Sequence, residues 1–356
     1  AAVDGYAVAY QSLGQGETML RITARSLAGQ PAGQGLAGDE AARIFTGAVM
    51  PEGSDTCIMQ EDVSVSGAFI RVPPGIRQGA NVRKAGEDLE AGEVAVAAGR
   101  RLRPQDIAAI ASTGAARVAC YKRLAVALLS TGQEVRRPGV DLGPGQVYDS
   151  NHHLLRALLP RAAARIIDMG IIADDAAEVR NALAGAAEQA DVILSTGGAS
   201  RGEADHIVAA MLDLGKLHAW QLAVKPGRPL AIGQIGDTVF LGLPGNPVAV
   251  FTTFLFYCLP MLAGLGGEAW RPPQRYPVPA GFRFAAKKRG RREFWRGWID
   301  EQERGPVLRK FARDGSGLIS GLTRATGFIE VGEEVGRVEE GDMLAFIPFS
   351  EFGVAP

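Results

Sequence analysis

Short apolar runs separated by turn-forming clusters characterise the first third of the chain. The runs TCIMQEDVSV and FIRVPP alternate or carry β-branched residues, and clusters such as PEGSD and GEDLEAGE interrupt the pattern. Such runs predict strands. In RPQDIAAIASTG, by contrast, Pro104 opens and Gly114 closes a helical pattern. The segment 1–84 is therefore predicted to be β-rich, and 85–123 to be a linker region with one short helix.

From 124 to 268 the pattern changes to continuous apolar runs that alternate with helical segments. The predicted strands include RLAVALLSTG, IIDMGII, DVILSTGG, HAWQLAVKPG, PLAIGQIG and TVFLGLPG. Strands that alternate with helices predict βαβ units and a mostly parallel sheet. Both faces of these strands are apolar, as a sheet covered by helices requires. In the helix SNHHLLRALLPRAAARI, Ser150 or Asn151 is the expected N-cap.

A proline-rich stretch, WRPPQRYPVP, marks a predicted boundary near 269–279. Beyond it REFWRGWI, PVLRKF, GFIEVG and DMLAFIPF have the pattern of strands, which fits a small barrel or sandwich. The predicted fold is a multi-domain α/β plus β protein. It has an N-terminal β-rich domain and linker region, a central α/β domain at 124–268 and a C-terminal small β barrel at 269–356.

Composition narrows the range of possible functions. The formal net charge of the 356 residues is −1, so no overall field attracts nucleic acid or a membrane surface. The basic run KKRGRR at 287–292 is expected to be a solvated hairpin tip, and the apolar stretch 248–262 a buried helix. Three cysteines far apart in sequence argue against a disulfide framework and favour a reducing compartment. The start, AAVDGYAVAY, lacks the basic stretch and apolar run of a signal peptide, so the cytoplasm is predicted.

Four loops carry the candidate chemistry, and each of them follows a predicted strand. Glycine-rich turns at helix N-termini expose backbone N–H groups, and a proline-stiffened turn holds two cations, so together they form an anion pocket. Ligands bind at the carboxyl ends of strands in such sheets. The residues are Ser130, Thr131 and Gly132 in LLSTGQEV, Gly197, Gly198 and Ser200 in STGGASRGEAD, Lys225, Gly227, Arg228 and Pro229 in KPGRP, and Pro244, Gly245, Asn246 and Pro247 in GLPGNP.

Carboxylates accompany the same loops, with Glu134 in the first and Glu203 and Asp205 in the second. A carboxylate beside a phosphate site usually accompanies a bridging divalent cation, and Mg²⁺ needs only one or two of them. Each of these residues and loops also has a purely structural interpretation. Asp205 is a favoured type of N-cap, Lys225 and Arg228 taken by charge alone are surface residues, and GLPGNP fits tight helix–strand packing.

The segments VDGYA, RIFTGAVMPEGSD, VRKAGEDLEAGE, LLSTGQE, VYDSN, STGGASRGEAD, KPGRP and GLPGNPV occur in this order along almost the whole chain. With them the sequence closely resembles the molybdopterin molybdenumtransferase family, which includes the E domain of gephyrin. The resemblance implies a homodimer with a composite active site. It also implies a reaction in which adenylylated molybdopterin and molybdate, with Mg²⁺, give molybdenum cofactor and AMP. A molybdopterin adenylyltransferase would be the upstream partner.

The resemblance also implies roles for individual residues. Asp205 matches the carboxylate needed for Mg²⁺-dependent cleavage, with Glu134 as a second metal-binding residue. Asp4, Thr46 and Asp88 match positions that line the cleft and are contributed by the partner subunit. Positions of the molybdate and phosphate loop correspond to Ser200, Lys225, Arg228 and Pro229, and C-terminal oxyanion contacts correspond to Ser316 in DGSG and to Arg291 or Arg296 in RREFWRG.

The sequence departs from the family pattern at several positions. Gln133 stands where an aspartate is usual, Gln221 where a lysine is frequent, Ala249 where a serine is common, and Arg201 where a small residue is commoner. Family members also carry a helical stretch before the DGYA motif. Two alternatives to the transferase reaction remain. One is a non-catalytic molybdopterin-binding scaffold, and the other is a molybdopterin adenylyltransferase, which as a stand-alone domain would lack the two β regions.

Overall fold

A computed structural model of the chain describes residues 1–197 and 206–354. The chain divides into two units, Ala1–Val96 and Ala97–Pro356, each with its own hydrophobic cores.

The first unit is built on one six-stranded sheet, which agrees with the predicted β-rich N-terminal region. Alternate side chains of β1 enter two different cores: Tyr6 and Val8 pack on one face and Ala7 on the other. This period of two is the expected pattern for a strand buried on both faces. The strands, in the sheet order β4-β1-β3-β2-β6-β5, are β1 (Gly5–Val8), β2 (Thr18–Ser26), β3 (Glu40–Ile44), β4 (Thr56–Met59), β5 (Ser64–Ser66) and β6 (Phe69–Val72).

The second unit begins with α1 (Pro104–Ser112), the helix predicted to start at Pro104, and continues as an α/β domain. Its strands are β7 (Ala125–Thr131), β8 (Val135–Arg136), β9 (Val147–Tyr148), β10 (Arg165–Ile172), β11 (Val192–Thr196), β12 (Lys216–Gln221), β13 (Val224–Lys225), β14 (Pro229–Ile235) and β15 (Thr238–Leu243). Its helices are α2 (Ser150–Leu158), α3 (Ala176–Ala187), α4 (His206–Leu214), α5 (Pro247–Thr253) and α6 (Leu259–Leu265).

The main sheet of this domain has the strand order β10-β7-β11-β15-β14-β12. The first four strands pair in parallel, and β14 pairs antiparallel with both β15 and β12, so five of the six strands run in one direction, which confirms the prediction of a mostly parallel sheet. All residues of β7 are buried, because helices cover both faces. Val126 and Leu128 pack with α2 and α5, whereas Ala127 and Leu129 pack with α3 and α4.

Two local predictions in this domain are wrong. The N-cap of α2 is Asp149, whose carboxylate accepts the His152 N–H at 2.9 Å, rather than Ser150 or Asn151. HAWQLAVKPG forms two strands rather than one. The first, β12, pairs with β14, whereas β13 pairs with a strand of the C-terminal domain, so the chain changes sheets between them.

The helix predicted within the apolar stretch 248–262 is present as a continuous segment, Pro247–Leu265, in which a π-helical turn, Phe254–Cys258, joins α5 to α6. This segment is long and apolar enough to cross a membrane by length and composition, but 67% of its most apolar window is buried inside the protein. Phe254, Leu255 and Leu262 are fully buried in the core shared by the sheet and the C-terminal domain. The helix therefore packs as the central core helix of the second unit.

The C-terminal β domain consists of β16 (Tyr276–Pro279), β17 (Arg292–Asp300), β18 (Val307–Lys310), α7 (Ser320–Arg324), β19 (Gly327–Val331) and β20 (Met343–Pro348). Antiparallel pairing runs from β18 through β17, β19 and β20 to β16. A bridge between Ala280, which follows β16, and Leu308 of β18 closes the barrel. The domain is therefore the predicted small barrel. The rings of Phe256 and Phe294, with centroids 4.0 Å apart, stack across its contact with the α/β domain.

Candidate functional site

A cavity of about 960 Å³ lies in the second unit, where the carboxyl ends of the parallel strands meet the C-terminal β domain. This is the sheet edge at which α/β proteins bind ligands. Residues from all four predicted loops and from the C-terminal domain line it together. Those that the sequence predicted are Thr131, Gly132, Glu134, Gly197, Lys225, Gly227, Arg228, Pro229, Pro244, Gly245, Asn246, Arg291, Arg296 and Ser316.

Of the predicted site residues, five that the structure describes are not among those that line the cavity, and three others are not described. Ser130 is buried at the end of β7, and its Oγ has no hydrogen-bond partner among the described residues. Pro247 opens α5 directly after the lining residue Asn246. Three more, Gly198, Ser200 and Asp205, lie outside the described residues, as do Glu203 and Arg201. The last three, Asp4, Thr46 and Asp88, belong to the first unit.

Two glycines bring the loops close enough together to form the cavity wall. Gly197 has a φ of +86°, and a Cβ on it would lie 2.4 Å from the Thr131 carbonyl oxygen. Gly227 has a φ of +105°, and a Cβ on it would lie 2.4 Å from the Thr253 Cγ2 atom of α5. Only glycine fits both the left-handed conformation and the close approach at these two positions.

A buried carboxylate fixes two of the cavity's cations. The side chain of Glu293 is 1% exposed and accepts hydrogen bonds from Arg291 Nε and Trp295 Nε1, both at 2.8 Å. Lys225 Nζ lies 3.6 Å from the same carboxylate, because β13 and β17 pair with Lys225 opposite Glu293. The sequence analysis did not identify Glu293, whose burial depends on a strand pairing between two domains.

The remaining predicted cations are also held by specific contacts. Arg228 donates to the Gln221 Oε1 atom at 3.2 Å, so the residue that replaces the family's lysine orients a neighbouring cation. Arg296 donates to the carbonyl oxygens of Leu318 (2.7 Å) and Arg313 (2.8 Å), and burial lowers its pKa. Arg296 thus supports the loop that contains Ser316.

That loop is tied to the helix that begins beside the cavity. The Ser316 carbonyl oxygen accepts the Val248 N–H at 3.0 Å, so the C-terminal domain and the start of α5 form a single wall.

The structure adds lining residues that the sequence analysis missed. Asp174 follows β10 at the same sheet edge as Glu134, and its position after a parallel strand was a usable signal. Lys288 and Arg289, from the run expected to be a solvated hairpin tip, also line the cavity. Lys287 is buried rather than solvated, because its ammonium group donates to the carbonyl oxygens of Lys288 and Arg291.

In the first unit, Asp4 and Thr46 contact each other directly. Thr46 donates to Asp4 Oδ1 from both its backbone N–H and its Oγ1, each at 2.8 Å. These bonds, with the backbone bond the larger influence, hold the pKa of Asp4 below its ordinary value. Asp88 lies in an exposed loop of the same unit.

The cavity's carboxylates determine what metal ion the site suits. Within residues 1–197 and 206–354, no group of three or more His, Cys, Asp and Glu side chains is placed to hold a metal ion. Glu134 and Asp174 nevertheless both line the cavity. Mg²⁺ keeps several waters and takes one or two carboxylates together with substrate phosphate. The lining residues therefore fit a water-rich magnesium ion and do not fit a complete protein cage.

Comparison with known proteins agrees with this architecture. Three family profiles match in order along the chain: MoeA N-terminal region (domain I and II) at residues 1–114, probable molybdopterin binding domain at 127–264, and MoeA C-terminal region (domain IV) at 278–349. A molybdopterin biosynthesis MoeA protein from Pyrococcus horikoshii OT3 has a similar structure. The TM-score is 0.83 at 26% identity, over 98% of this chain and 86% of that one.

Curated relatives point the same way. The molybdopterin molybdenumtransferase of Haemophilus influenzae is 36% identical over 98% of this chain and 87% of its own length. A protein of the same name from Nostoc sp. is 35% identical over 76% of this chain and 64% of its own length. The three profiles, the shared fold and these relatives show that the chain belongs to the molybdopterin molybdenumtransferase family, a family of transferases.

Proposed function

We propose that this chain inserts molybdate into adenylylated molybdopterin and releases AMP, as a step of molybdenum cofactor synthesis. One observation carries the proposal. A single cavity combines glycine-rich backbone at the ends of parallel strands with cations from two domains and with three carboxylates, of which Asp314 is paired with Lys310 and Glu134 and Asp174 are not. Oxyanions and phosphates are bound by backbone N–H groups and fixed cations, and carboxylates alone would repel them.

Within this function, Lys225 and Arg228 hold the molybdate oxyanion, aided by Ser316. The turn that carries both cations is stiffened by Pro226 and Pro229, and contacts to Glu293 and Gln221 keep both side chains oriented before the ligand arrives. Less side-chain entropy is then lost on binding. The N-terminal end of α5, which begins directly after Asn246, adds the partial positive charge of the helix dipole on the same wall.

Glu134, Asp174 and Asp205 are the residues that would hold Mg²⁺. When bound, Mg²⁺ supplies positive charge that neutralises the phosphates and polarises the bond to be cleaved. Glu134 and Asp174 each follow a parallel strand at the cavity edge, so the sheet fixes their backbone positions.

We further propose a homodimer in which Asp4, Thr46 and Asp88 of one subunit complete the active site of the other. The two hydrogen bonds from Thr46 hold the Asp4 carboxylate in one orientation, and they lower its pKa below the ordinary value. A molybdopterin adenylyltransferase would supply the adenylylated substrate. The cytoplasm is the proposed compartment, which suits the three free cysteines.

The test is AMP release from adenylylated molybdopterin by the purified chain, with molybdate and Mg²⁺ each omitted in turn. Asp205→Asn should abolish release and leave pterin binding nearly intact. Lys225→Gln should raise the molybdate concentration for half-maximal rate by about tenfold, since a charged donor is lost. Lys216→Gln removes the same charge from an exposed position of the same domain and serves as the control.

The proposal fails if the chain releases no AMP under conditions in which the Haemophilus influenzae relative does. Tight pterin binding without turnover would instead indicate a scaffold. Consumption of ATP with release of pyrophosphate would indicate an adenylyltransferase, although the two β regions favour the transferase.

A further inference from the structure

The segment 287–291, here called the basic loop, is fixed in shape before any ligand binds. The Lys287 N–H donates to the Gly336 carbonyl oxygen at 2.6 Å, and the Gly290 N–H donates to that of Glu333 at 3.0 Å. From inside the loop, Lys287 Nζ donates to the carbonyl oxygens of Lys288 (3.3 Å) and Arg291 (2.7 Å). Burial lowers the pKa of Lys287, but the nearby Glu293 carboxylate favours its charged form.

The cations in and beside this loop fall into two groups. Arg291 is paired with Glu293, and Arg292 is paired with Glu330 and Glu333 at 2.9 and 3.1 Å. Lys288 and Arg289 are different: in the part of the chain that the structure describes, neither side chain makes an ion pair or hydrogen bond. Both are exposed and both line the cavity. The loop therefore presents two uncompensated positive charges to the cavity from a rigid backbone.

The cavity is much larger than a metal oxyanion requires. A water molecule takes about 30 Å³ in the liquid, so four oxygens around one metal atom need roughly 150 Å³. The cavity volume of about 960 Å³ is in the range of sites that enclose a sizeable organic ligand. Lys225 and Arg228 lie on the turn before β14, whereas Lys288 and Arg289 lie on the loop before β17. The cavity therefore has cations on two separate segments: Lys225 and Arg228, which contact Glu293 and Gln221, and the unpaired Lys288 and Arg289.

We propose that Lys288 and Arg289 form a second anion subsite, which binds the phosphate groups of the organic substrate while Lys225 and Arg228 hold the oxyanion. This inference rests on the proposed function, since it assigns the phosphorylated substrate to a particular wall of the same cavity. An arginine offers planar paired N–H donors that match phosphate oxygens, and a neighbouring lysine adds a mobile point charge.

The test compares two double variants of the full chain. Lys288→Ala/Arg289→Ala removes the subsite. Arg283→Ala/Arg337→Ala removes the same charge from the same β domain, at residues whose side chains are 76% exposed and do not line the cavity. For each variant the KM for adenylylated molybdopterin, the affinity for molybdate and the affinity for AMP by calorimetry are measured. Circular dichroism checks that both variants are folded.

The subsite variant should raise KM for the organic substrate and weaken AMP binding by about tenfold, with a smaller salt dependence of both. Its molybdate affinity should stay within about twofold of the parent chain, because the charges are separate and screened. Equal KM and AMP affinity in the two variants would overturn the inference, and so would a parallel loss of molybdate affinity, which would indicate one shared anion site.

The proposed function can be refuted independently of the proposed subsite. If the parent chain binds AMP but releases none from the substrate, the transferase proposal is refuted, while AMP calorimetry on the two variants still decides whether Lys288 and Arg289 bind phosphate.

Discussion

Replacement of Glu293 by alanine tests whether this buried carboxylate organises the cation wall. In the variant, Trp295 Nε1 would lose its hydrogen-bond acceptor. Trp295 is only 6% exposed, so water would not easily replace that acceptor. Arg291 would lose a charge-assisted bond of 2.8 Å, and Lys225 an ion pair of 3.6 Å. Three groups that now share one partner would each have to find solvent or another acceptor.

The loss of unfolding free energy in Glu293→Ala depends on how well water can replace each lost contact. A buried N–H left without a partner costs about 1–3 kcal/mol. The side chains of Arg291 and Lys225 are 34% and 41% exposed, so solvent screens their loss. Each of these two contacts therefore contributes about 0.5 kcal/mol. The total loss is about 2–4 kcal/mol of unfolding free energy. Glu293→Gln should cost about half as much, because the amide oxygen still accepts one of the bonds.

Urea unfolding followed by tryptophan fluorescence measures this difference, with Trp295 as a local reporter. The matched control is Glu339→Ala in the same domain. That carboxylate is 53% exposed and lies 3.7 and 3.8 Å from two exposed arginines, so its loss should cost at most about 0.5 kcal/mol. If Glu293→Ala were no more destabilising than Glu339→Ala, the carboxylate would not be holding the cation wall together.

Three further changes test other parts of the site. Gly227→Ala should lower the free energy of unfolding by about 2–4 kcal/mol, since the left-handed backbone and the 2.4 Å approach to α5 exclude a Cβ; an unchanged urea midpoint would contradict this. Thr46→Val should raise the pKa of Asp4 in an NMR titration but leave it below its ordinary value, because the backbone bond remains. Since the lowered pKa stabilises the fold above the unfolded-state value, this variant should be less stable at neutral pH, and the difference should disappear in acid below the folded pKa. Gln221→Lys should strengthen molybdate binding by about threefold at low salt, by adding a cation beside Arg228, and an effect that did not decline with salt would argue against an electrostatic cause.

The parts of the fold that the sequence predicted are those set by local pattern. β7 and β11 are continuous apolar runs because helices cover both faces, and the loops after them lie at one sheet edge because the strands are parallel. The same rule predicted that Thr131 and Gly197 would come to one cavity, which they do.

What the sequence did not predict depends on contacts between distant segments. Glu293 has the pattern of an ordinary strand residue, and its burial follows only from the arrival of β13 beside β17. Lys287 is buried because the carbonyl oxygens of its own loop satisfy its ammonium group, which charge counting does not reveal. The N-cap of α2 is displaced by one residue because Asp149, outside the helical pattern, accepts the bond.

The cavity's charge is local and requires both domains of the second unit. The whole chain has a net charge of −1, yet Lys225 and Arg228 come from the α/β domain, and Lys288 and Arg289 from the β domain, into one space. The pairing of β13 with β17 connects the two sets, and the stacked rings behind it exclude water from the junction. Because like charges in one cavity repel one another, Lys225 and Arg291 depend on the shared Glu293 carboxylate to hold them before an anion binds. Each domain alone would keep its strands but lose the arrangement of charges that makes the cavity an anion site.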